Sequence, residues 1–146
     1  MEKVIYINSS QEMISMGEKI GSLAEANMVI ALDGDLGAGK TTLTKGIALG
    51  LGIKKIVNSP TFVIMKIYDG RLKLYHLDVY RTNDSEFELS EYFEQDGLCV
   101  IEWSNNIESL LPAATLKLNI VDLGENKRKV EISYSDMWYE RMVNAL

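Results

Sequence analysis

The residues best suited to chemistry stand in one short segment, Gly34 to Thr41, which reads G-D-L-G-A-G-K-T. The segment fits the pattern G-x-x-x-x-G-K-[ST] through Gly34, Gly39, Lys40 and Thr41. Glycines allow positive φ angles and a close approach of the backbone, so that successive N–H groups form an anion-binding nest. The lysine adds a full positive charge, and the threonine hydroxyl can ligate Mg²⁺. This spacing predicts a site for the phosphates of a nucleotide.

The sequence on both sides of the segment is what such a loop requires. Met28 to Leu32 is a short apolar run, typical of a strand buried on both faces. A helix is predicted from Thr41 to about Leu51, and Gly52 can end it. The positive end of the helix dipole then points at the phosphates. The predicted nucleotide-binding residues are Gly34, Asp35, Leu36, Gly37, Ala38, Gly39, Lys40, Thr41, Thr42 and Trp103, with backbone amides from Leu36 to Thr42 contributing most.

Hydrolysis of a bound nucleotide also needs a group that holds Mg²⁺ and a group that orients the attacking water. Two apolar strands end in a carboxylate, Leu98 to Glu102 and Leu74 to Asp78. We favour Glu102 on the metal side and Asp78 as the outer or water-orienting group, although the two roles could be exchanged. Either acid could instead cap its strand or pair with a surface cation.

Other polar residues are open to two interpretations. Thr61 could sense the γ-phosphate through its hydroxyl, as switch loops do, or be an ordinary turn residue. His76 is the one histidine and is predicted to be structural rather than a ligand, and Arg81 could stabilise phosphate charge but is expected in a salt bridge. Trp103 either flanks the nucleotide or packs in the core, and Cys99 is predicted to be a small core residue.

The kind of nucleotide and the kind of reaction follow from what the chain lacks. The segment Asn126 to Lys129 has no aspartate to complete a guanine-reading N-K-x-D pattern, which favours ATP. A chain this short has little room for the lid and acceptor pocket of a small-molecule kinase. We therefore predict Mg²⁺-dependent ATP hydrolysis used as a switch or timer. A small-molecule kinase and a non-catalytic nucleotide-binding module stay as alternatives.

Composition limits the partners and the compartment. The chain has 146 residues, which fits one domain over residues 1–146, and a net charge of −6. That charge argues against a broad contact with nucleic-acid phosphates, so any role in a nucleic-acid pathway is expected to run through a protein partner. The basic cluster Lys127-Arg128-Lys129 is predicted to be a solvated turn. With one cysteine and no signal-like or membrane-length apolar run, a cytoplasmic protein is expected.

The remaining elements follow from apolar periodicity and turn residues. Ser9 to Glu12 resembles a capping box that opens a helix carrying Met13 to Leu23, and Asp69-Gly70 predicts a two-residue hairpin turn. The other predicted strands are Val4–Asn8, Phe62–Tyr68, Leu72–Asp78, Leu116–Val121 and Val130–Tyr134, and the last two are joined by a turn at Gly124. The other predicted helices are Ser85–Tyr92, Ser104–Leu110 and Asp136–Ala145. The order predicts a P-loop NTPase-like three-layer α/β/α fold with a mixed central sheet.

Four motifs in this order resemble the TsaE (formerly YjeE) family of bacterial ATPases. They are the loop from Gly34 to Thr42, S-P-T-F from Ser59, H-L-D-V-Y-R from His76, and I-E-W ending at Trp103. The resemblance extends from about Ile5 to Leu118, and the last three motifs are far more specific than the loop. The family often has proline after E-W, where this chain has Ser104. That departure concerns only the turn that follows.

The resemblance implies a function in tRNA modification. The family acts in making N6-threonylcarbamoyladenosine at position 37 of tRNAs, where it would bind ATP and assist turnover of a complex of two proteins, TsaB and TsaD. Lys40 and Thr41 would bind phosphate and Mg²⁺, and Thr61 would belong to a switch-like loop. Asp78 and Glu102 would be the acidic pair needed for hydrolysis and for Mg²⁺, with Trp103 beside them and Lys40 acting in catalysis.

Overall fold

The computed structural model describes residues 1–35, 37–55, 57, 65–79 and 96–146, and of residues 105–107 only the backbone. The strands are β1 Glu2–Ile7, β2 Val29–Gly34, β3 Met65–Tyr68, β4 Lys73–Asp78, β5 Gly97–Glu102, β6 Leu116–Gly124 and β7 Lys127–Ser133. The α-helices are α1 Ser10–Leu23, α2 Lys40–Gly50 and α3 Glu140–Asn144, and two 3-10 helices span Ser104–Leu110 and Met137–Tyr139.

All seven strands form one sheet in the order β1-β7-β6-β2-β5-β4-β3. Strand β2 is parallel to both of its neighbours, β5 and β6, and β4 is parallel to β5. The outer pairs β3–β4, β6–β7 and β1–β7 are antiparallel. The predicted α/β class with a mixed sheet is therefore confirmed. The parallel centre also explains the continuous apolar runs in β2 and β5, which are buried on both faces.

The three α-helices within the described residues pack on one face of the sheet and share its larger hydrophobic core. Helices α1 and α2 approach closely because glycines face each other where they cross. A Cβ on Gly17 would lie 2.5 Å from the Leu43 carbonyl oxygen, and one on Gly46 would lie 2.3 Å from that of Ile14. A smaller core lies on the other face, and Leu110 and Leu111, at the end of the first 3-10 helix and just beyond it, pack against this core. The predicted helix Ser85–Tyr92 lies outside the described residues.

The predicted signals at helix ends are confirmed. The Ser9 hydroxyl accepts a hydrogen bond from the Glu12 backbone N–H at 3.1 Å. The Glu12 carboxylate in turn accepts one from the Asn8 N–H at 2.9 Å, one residue earlier than in the usual capping box. After α2, Gly52 has a φ of +75°, the conformation expected of a helix stop.

The predicted hairpin turn at Asp69-Gly70 is wrong, because the connection between β3 and β4 is longer than two residues. Tyr68 pairs with Leu74, which leaves five residues between the paired positions. The connection is held to the helices instead of closing tightly: the Arg71 N–H donates to the Leu51 carbonyl at 2.7 Å. Gly70 is needed there for space, since a Cβ would lie 2.6 Å from the same oxygen.

Two predictions near the C-terminus need smaller corrections. The turn between β6 and β7 consists of Glu125 and Asn126, both at positive φ, while Gly124 ends β6 at a register shift. The last helix begins as a 3-10 turn capped by Asp136 and continues as α3. No helix in the described part of the chain is both long and apolar enough to cross a membrane.

Candidate functional site

The glycine-rich loop joins the centre of the sheet to the N-terminus of α2. Gly37 and Gly39 have φ angles of +79° and +120°, and Gly34 has +149°. At Gly34 only glycine fits, because a Cβ would lie 2.5 Å from the Ile120 carbonyl oxygen. The described loop residues thus have the backbone that an anion-binding nest requires. Leu36 lies outside the described residues.

Lys40 is the first residue of α2, and its side chain turns back along the loop. Its ammonium donates to the carbonyl oxygens of Gly34 at 2.6 Å and Asp35 at 2.9 Å. It also lies 4.0 Å from the centre of the Trp103 ring, a cation–π contact. Burial lowers the pKa of Lys40, and nearby carboxylates, Glu102 foremost, oppose that shift. The positive charge therefore lies between the loop and the acidic strand ends.

The two acidic strand ends lie side by side facing this lysine. In the parallel register of β4 and β5, Asp78 is directly beside Glu102. The Thr41 hydroxyl is 3.3 Å from Oε1 of Glu102, so the predicted metal-binding hydroxyl and carboxylate are in contact. Glu102 is buried and Asp78 is partly exposed. A cavity of about 300 Å³ is lined by Gly37, Gly39, Lys40, Thr41, Thr42, Asp78, Glu102 and Trp103.

His76 contacts Glu102 directly, a contact that sequence reasoning did not foresee. Its Nε2 is 2.5 Å from Oε2 of Glu102, and the side chain is completely buried. The other ring nitrogen, Nδ1, has no hydrogen-bond partner among the described residues. The sequence did contain a signal, since alternation along β4 puts residues 76 and 78 on the same face.

The turn after the acidic strand has its own stabilising contacts. Trp103 adopts a left-handed conformation with a φ of +63°, and its N–H donates to the Leu32 carbonyl at 2.9 Å. The Ser104 hydroxyl donates to the Asp33 carboxylate, and both side chains are buried. The serine that departs from the family pattern thus has a polar partner on the neighbouring strand β2.

Arg128 is the residue that sequence reasoning missed most clearly. The cluster Lys127-Arg128-Lys129 was predicted to be a solvated turn, but it lies in strand β7. Arg128 Nε donates to the Ala38 carbonyl of the loop at 2.8 Å, and Nη1 pairs with Asp122 at 3.0 Å. Alternation could have revealed this direction, because residues 128, 130 and 132 share one face and the last two are buried in the core.

A second cavity, of about 250 Å³, lies against the same loop beside Arg128. Its lining residues are Asn8, Ser9, Ser10, Met13, Gly37, Ala38, Gly39, Thr42, Asn126 and Arg128. Gly37, Gly39 and Thr42 line both cavities, so the two spaces adjoin across the loop and the start of α2. Thr61 and Arg81, the other predicted polar residues, lie outside the described residues.

A mixed sheet with a glycine-rich loop between its central strand and the next helix defines the class: this is a P-loop NTPase-like α/β protein. The sequence model of the family described as "Threonylcarbamoyl adenosine biosynthesis protein TsaE" matches residues 7–130. The chain therefore belongs to the TsaE family, as its four motifs predicted.

Individual relatives agree with this assignment. Proteins named "tRNA threonylcarbamoyladenosine biosynthesis protein TsaE" include one from Bacillus subtilis (strain 168), 44% identical over 93% of this chain and 88% of that protein. Another, from Treponema pallidum (strain Nichols), is 40% identical over 86% of this chain and 96% of that protein. The crystal structure of YdiB from Bacillus subtilis superimposes with a TM-score of 0.89 at 38% identity, covering 99% of this chain and 93% of that one.

Proposed function

We propose that this protein is a Mg²⁺-dependent ATPase that serves the synthesis of N6-threonylcarbamoyladenosine at position 37 of tRNA. The family membership supports the pathway. The observation that carries the ATPase activity is a convergence: Lys40 and Thr41 from the loop face Asp78 and Glu102 across a single cavity. A glycine-rich turn with an incidental lysine would have no reason to meet two strand-end carboxylates.

The donor set suits Mg²⁺ brought in with a nucleotide. Among the described residues, no group of three or more His, Cys, Asp and Glu side chains could hold a metal ion. The Thr41 hydroxyl and the Glu102 carboxylate are an incomplete oxygen set, which is typical for Mg²⁺ because it keeps several waters and binds substrate phosphates as well. When bound, the ion would neutralise charge that develops on the phosphates.

The protein's own residues have distinct tasks in this proposal. Loop amides and the N-terminus of α2 bind the phosphates. Lys40 exchanges the carbonyl oxygens of Gly34 and Asp35 for phosphate oxygens. Glu102 acts on the metal side with Thr41, and Asp78, one strand further out, orients the attacking water. Thr61 is proposed to contact the γ-phosphate and Trp103 to flank the nucleotide.

The second cavity offers space for the rest of the nucleotide. It adjoins the phosphate cavity across the loop, and its walls combine the polar side chains of Ser9, Asn126 and Arg128 with the apolar side chain of Met13. A planar base and a ribose need such a mixture of apolar area and a few polar groups. We therefore place the adenosine part of ATP here.

The partners proposed are TsaB and TsaD, and the proposed compartment is the cytoplasm. The net charge of −6 supports a role exercised through proteins rather than through a broad contact with tRNA phosphates. Hydrolysis by the isolated chain is expected to be slow and to rise when the partner complex is present.

The test is steady-state ATP hydrolysis by the chain alone and with purified TsaB and TsaD. Lys40→Ala should abolish ATP binding, and Glu102→Gln should keep binding but lose turnover. Lys45→Ala is the matched control, because Lys45 lies exposed on the same helix. A phosphorylated metabolite in extracts given labelled ATP would favour a kinase instead. Tight binding without turnover, alone or with both partners, would favour a non-catalytic module.

A further inference from the structure

We propose that His76 is a positioning residue that fixes the Glu102 carboxylate for Mg²⁺ binding, and this inference rests on the function proposed above. His76 and Glu102 come from adjacent parallel strands, and their side chains meet on the face that carries the loop. The imidazole is completely buried and Glu102 is 2% exposed. A buried polar pair costs free energy of desolvation, so its presence beside the phosphate cavity points to a specific task.

The direction of the hydrogen bond follows from the surroundings. The proposed Mg²⁺ site uses Glu102 as a carboxylate, and a carboxylate can only accept hydrogen bonds. His76 Nε2 must then be the donor across the 2.5 Å contact. Nδ1 has no hydrogen-bond partner among the described residues, and a proton there would be a buried, unpaired donor. The geometry therefore places a ring hydrogen on Nε2 and none on Nδ1.

This hydrogen bond divides the two oxygens of Glu102 between two tasks. Oε2 is 2.5 Å from His76 Nε2, while Oε1 is the oxygen nearer to the Thr41 hydroxyl, at 3.3 Å against 3.5 Å for Oε2, and Glu102 lines the phosphate cavity. Without the imidazole, the carboxylate could rotate and present either oxygen or neither to the metal. Groups that orient a metal ligand in this way typically contribute a factor of about 10 to 100 in metal affinity or activity.

The hydrogen-bond assignment can be read directly, because His76 is the one histidine in the chain. In the protein with ¹⁵N-labelled histidine, NMR should show the neutral tautomer with hydrogen on Nε2 and slow exchange of that hydrogen with solvent. Glu102→Ala should speed this exchange by about tenfold or more, since the acceptor and its cover are lost. The proposal would be overturned by a hydrogen on Nδ1, or by an exchange rate of the Nε2 hydrogen that is the same in Glu102→Ala as in the wild type. No nucleotide is needed for this measurement.

The metal side is tested by the Mg²⁺ concentration that supports binding of a non-hydrolysable ATP analogue. His76→Leu should raise the half-saturating Mg²⁺ concentration about 10- to 100-fold while leaving analogue binding without Mg²⁺ at the wild-type level. His76→Gln should restore most of the Mg²⁺ affinity, because its amide N–H reaches the position of Nε2. The shorter amide of His76→Asn should not. Thermal unfolding of each variant shows that it is folded.

A structural role alone would predict a different order of the variants. If His76 only fills space, Leu should be tolerated at least as well as Gln, and that order in folded proteins would sink the proposal. Wild-type Mg²⁺ affinity in His76→Leu would do the same. By contrast, if the wild-type chain bound the analogue equally well with and without Mg²⁺, that result would count against the proposed ATPase. The tautomer measurement would still test the role of His76 independently.

Discussion

Replacing Arg128 by methionine should weaken ATP binding through the loop that the arginine holds. Arg128 Nε donates to the Ala38 carbonyl at 2.8 Å, whereas the contact of Nη2 with the Gly37 carbonyl is at the 3.5 Å limit. The first bond turns one loop carbonyl outward, toward β7. Methionine keeps the apolar stem but removes this hydrogen bond together with the ion pair to Asp122, so control variants are needed to separate the two.

The size of the effect can be worked from these contacts. A hydrogen bond with a charged partner contributes about 1.5–3 kcal/mol, and partial exposure of Arg128 places this one near the lower end. The ion pair with Asp122 is half exposed at the carboxylate and adds ~0–1 kcal/mol. In the variant this hydrogen bond no longer holds the loop, so part of the binding energy of ATP is used to order it. The free energy of ATP binding should therefore become less favourable by about 1.5 kcal/mol. That loss corresponds to a roughly tenfold higher Kd.

The assay is isothermal titration of a non-hydrolysable ATP analogue into each variant with Mg²⁺ present. Asp122→Asn removes the ion pair but leaves the Nε donor, so its Kd should stay close to the wild-type value. Lys129→Met removes the same charge from the neighbouring residue and controls for long-range electrostatics. Wild-type affinity in Arg128→Met would refute the reasoning. If Arg128→Met and Lys129→Met raised the Kd equally, the effect would come from net charge and not from the hydrogen bond.

Three further predictions concern charge, burial and packing. Burial lowers the pKa of Lys40 below its ordinary 10.5, so its ammonium loses its charge at a lower pH than a free lysine does. ATP affinity, measured in equilibrium titrations, should therefore begin to fall below pH 10.5 as the pH is raised. In Lys40→Arg this fall should move to higher pH. Tyr139→Phe should cost about 1–3 kcal/mol in urea unfolding, because the buried Val29 N–H loses its 3.0 Å acceptor. Gly46→Ala should lower the stability of the protein although alanine gains ~1 kcal/mol in helix propensity, because its Cβ would lie 2.3 Å from the Ile14 carbonyl oxygen. A higher urea midpoint for this variant would contradict the prediction.

What the sequence could predict was local. The loop, its preceding strand and its following helix depend on residues within a few positions of one another, and the Ser9 cap is equally local. The hairpin after β3 failed because its geometry is set by contacts with distant helices, through Arg71 and Gly70. Arg128 was misplaced for a related reason: its partner Ala38 is 90 positions away, and only the sheet order brings them together.

The two acids show what the sheet order adds to the sequence. Each ends a buried strand, so the sequence favoured Glu102 for the metal side but left the two roles exchangeable. The sheet order places β5 next to the loop strand and β4 one strand further out, and the Glu102 carboxylate lies 3.3 Å from the Thr41 hydroxyl. Oε2 of Glu102 contacts His76, and Oε1 is the oxygen nearer to the Thr41 hydroxyl, which supports the metal-side role proposed for Glu102. Asp78 is partly exposed on the same cavity, which suits a group that must exchange water.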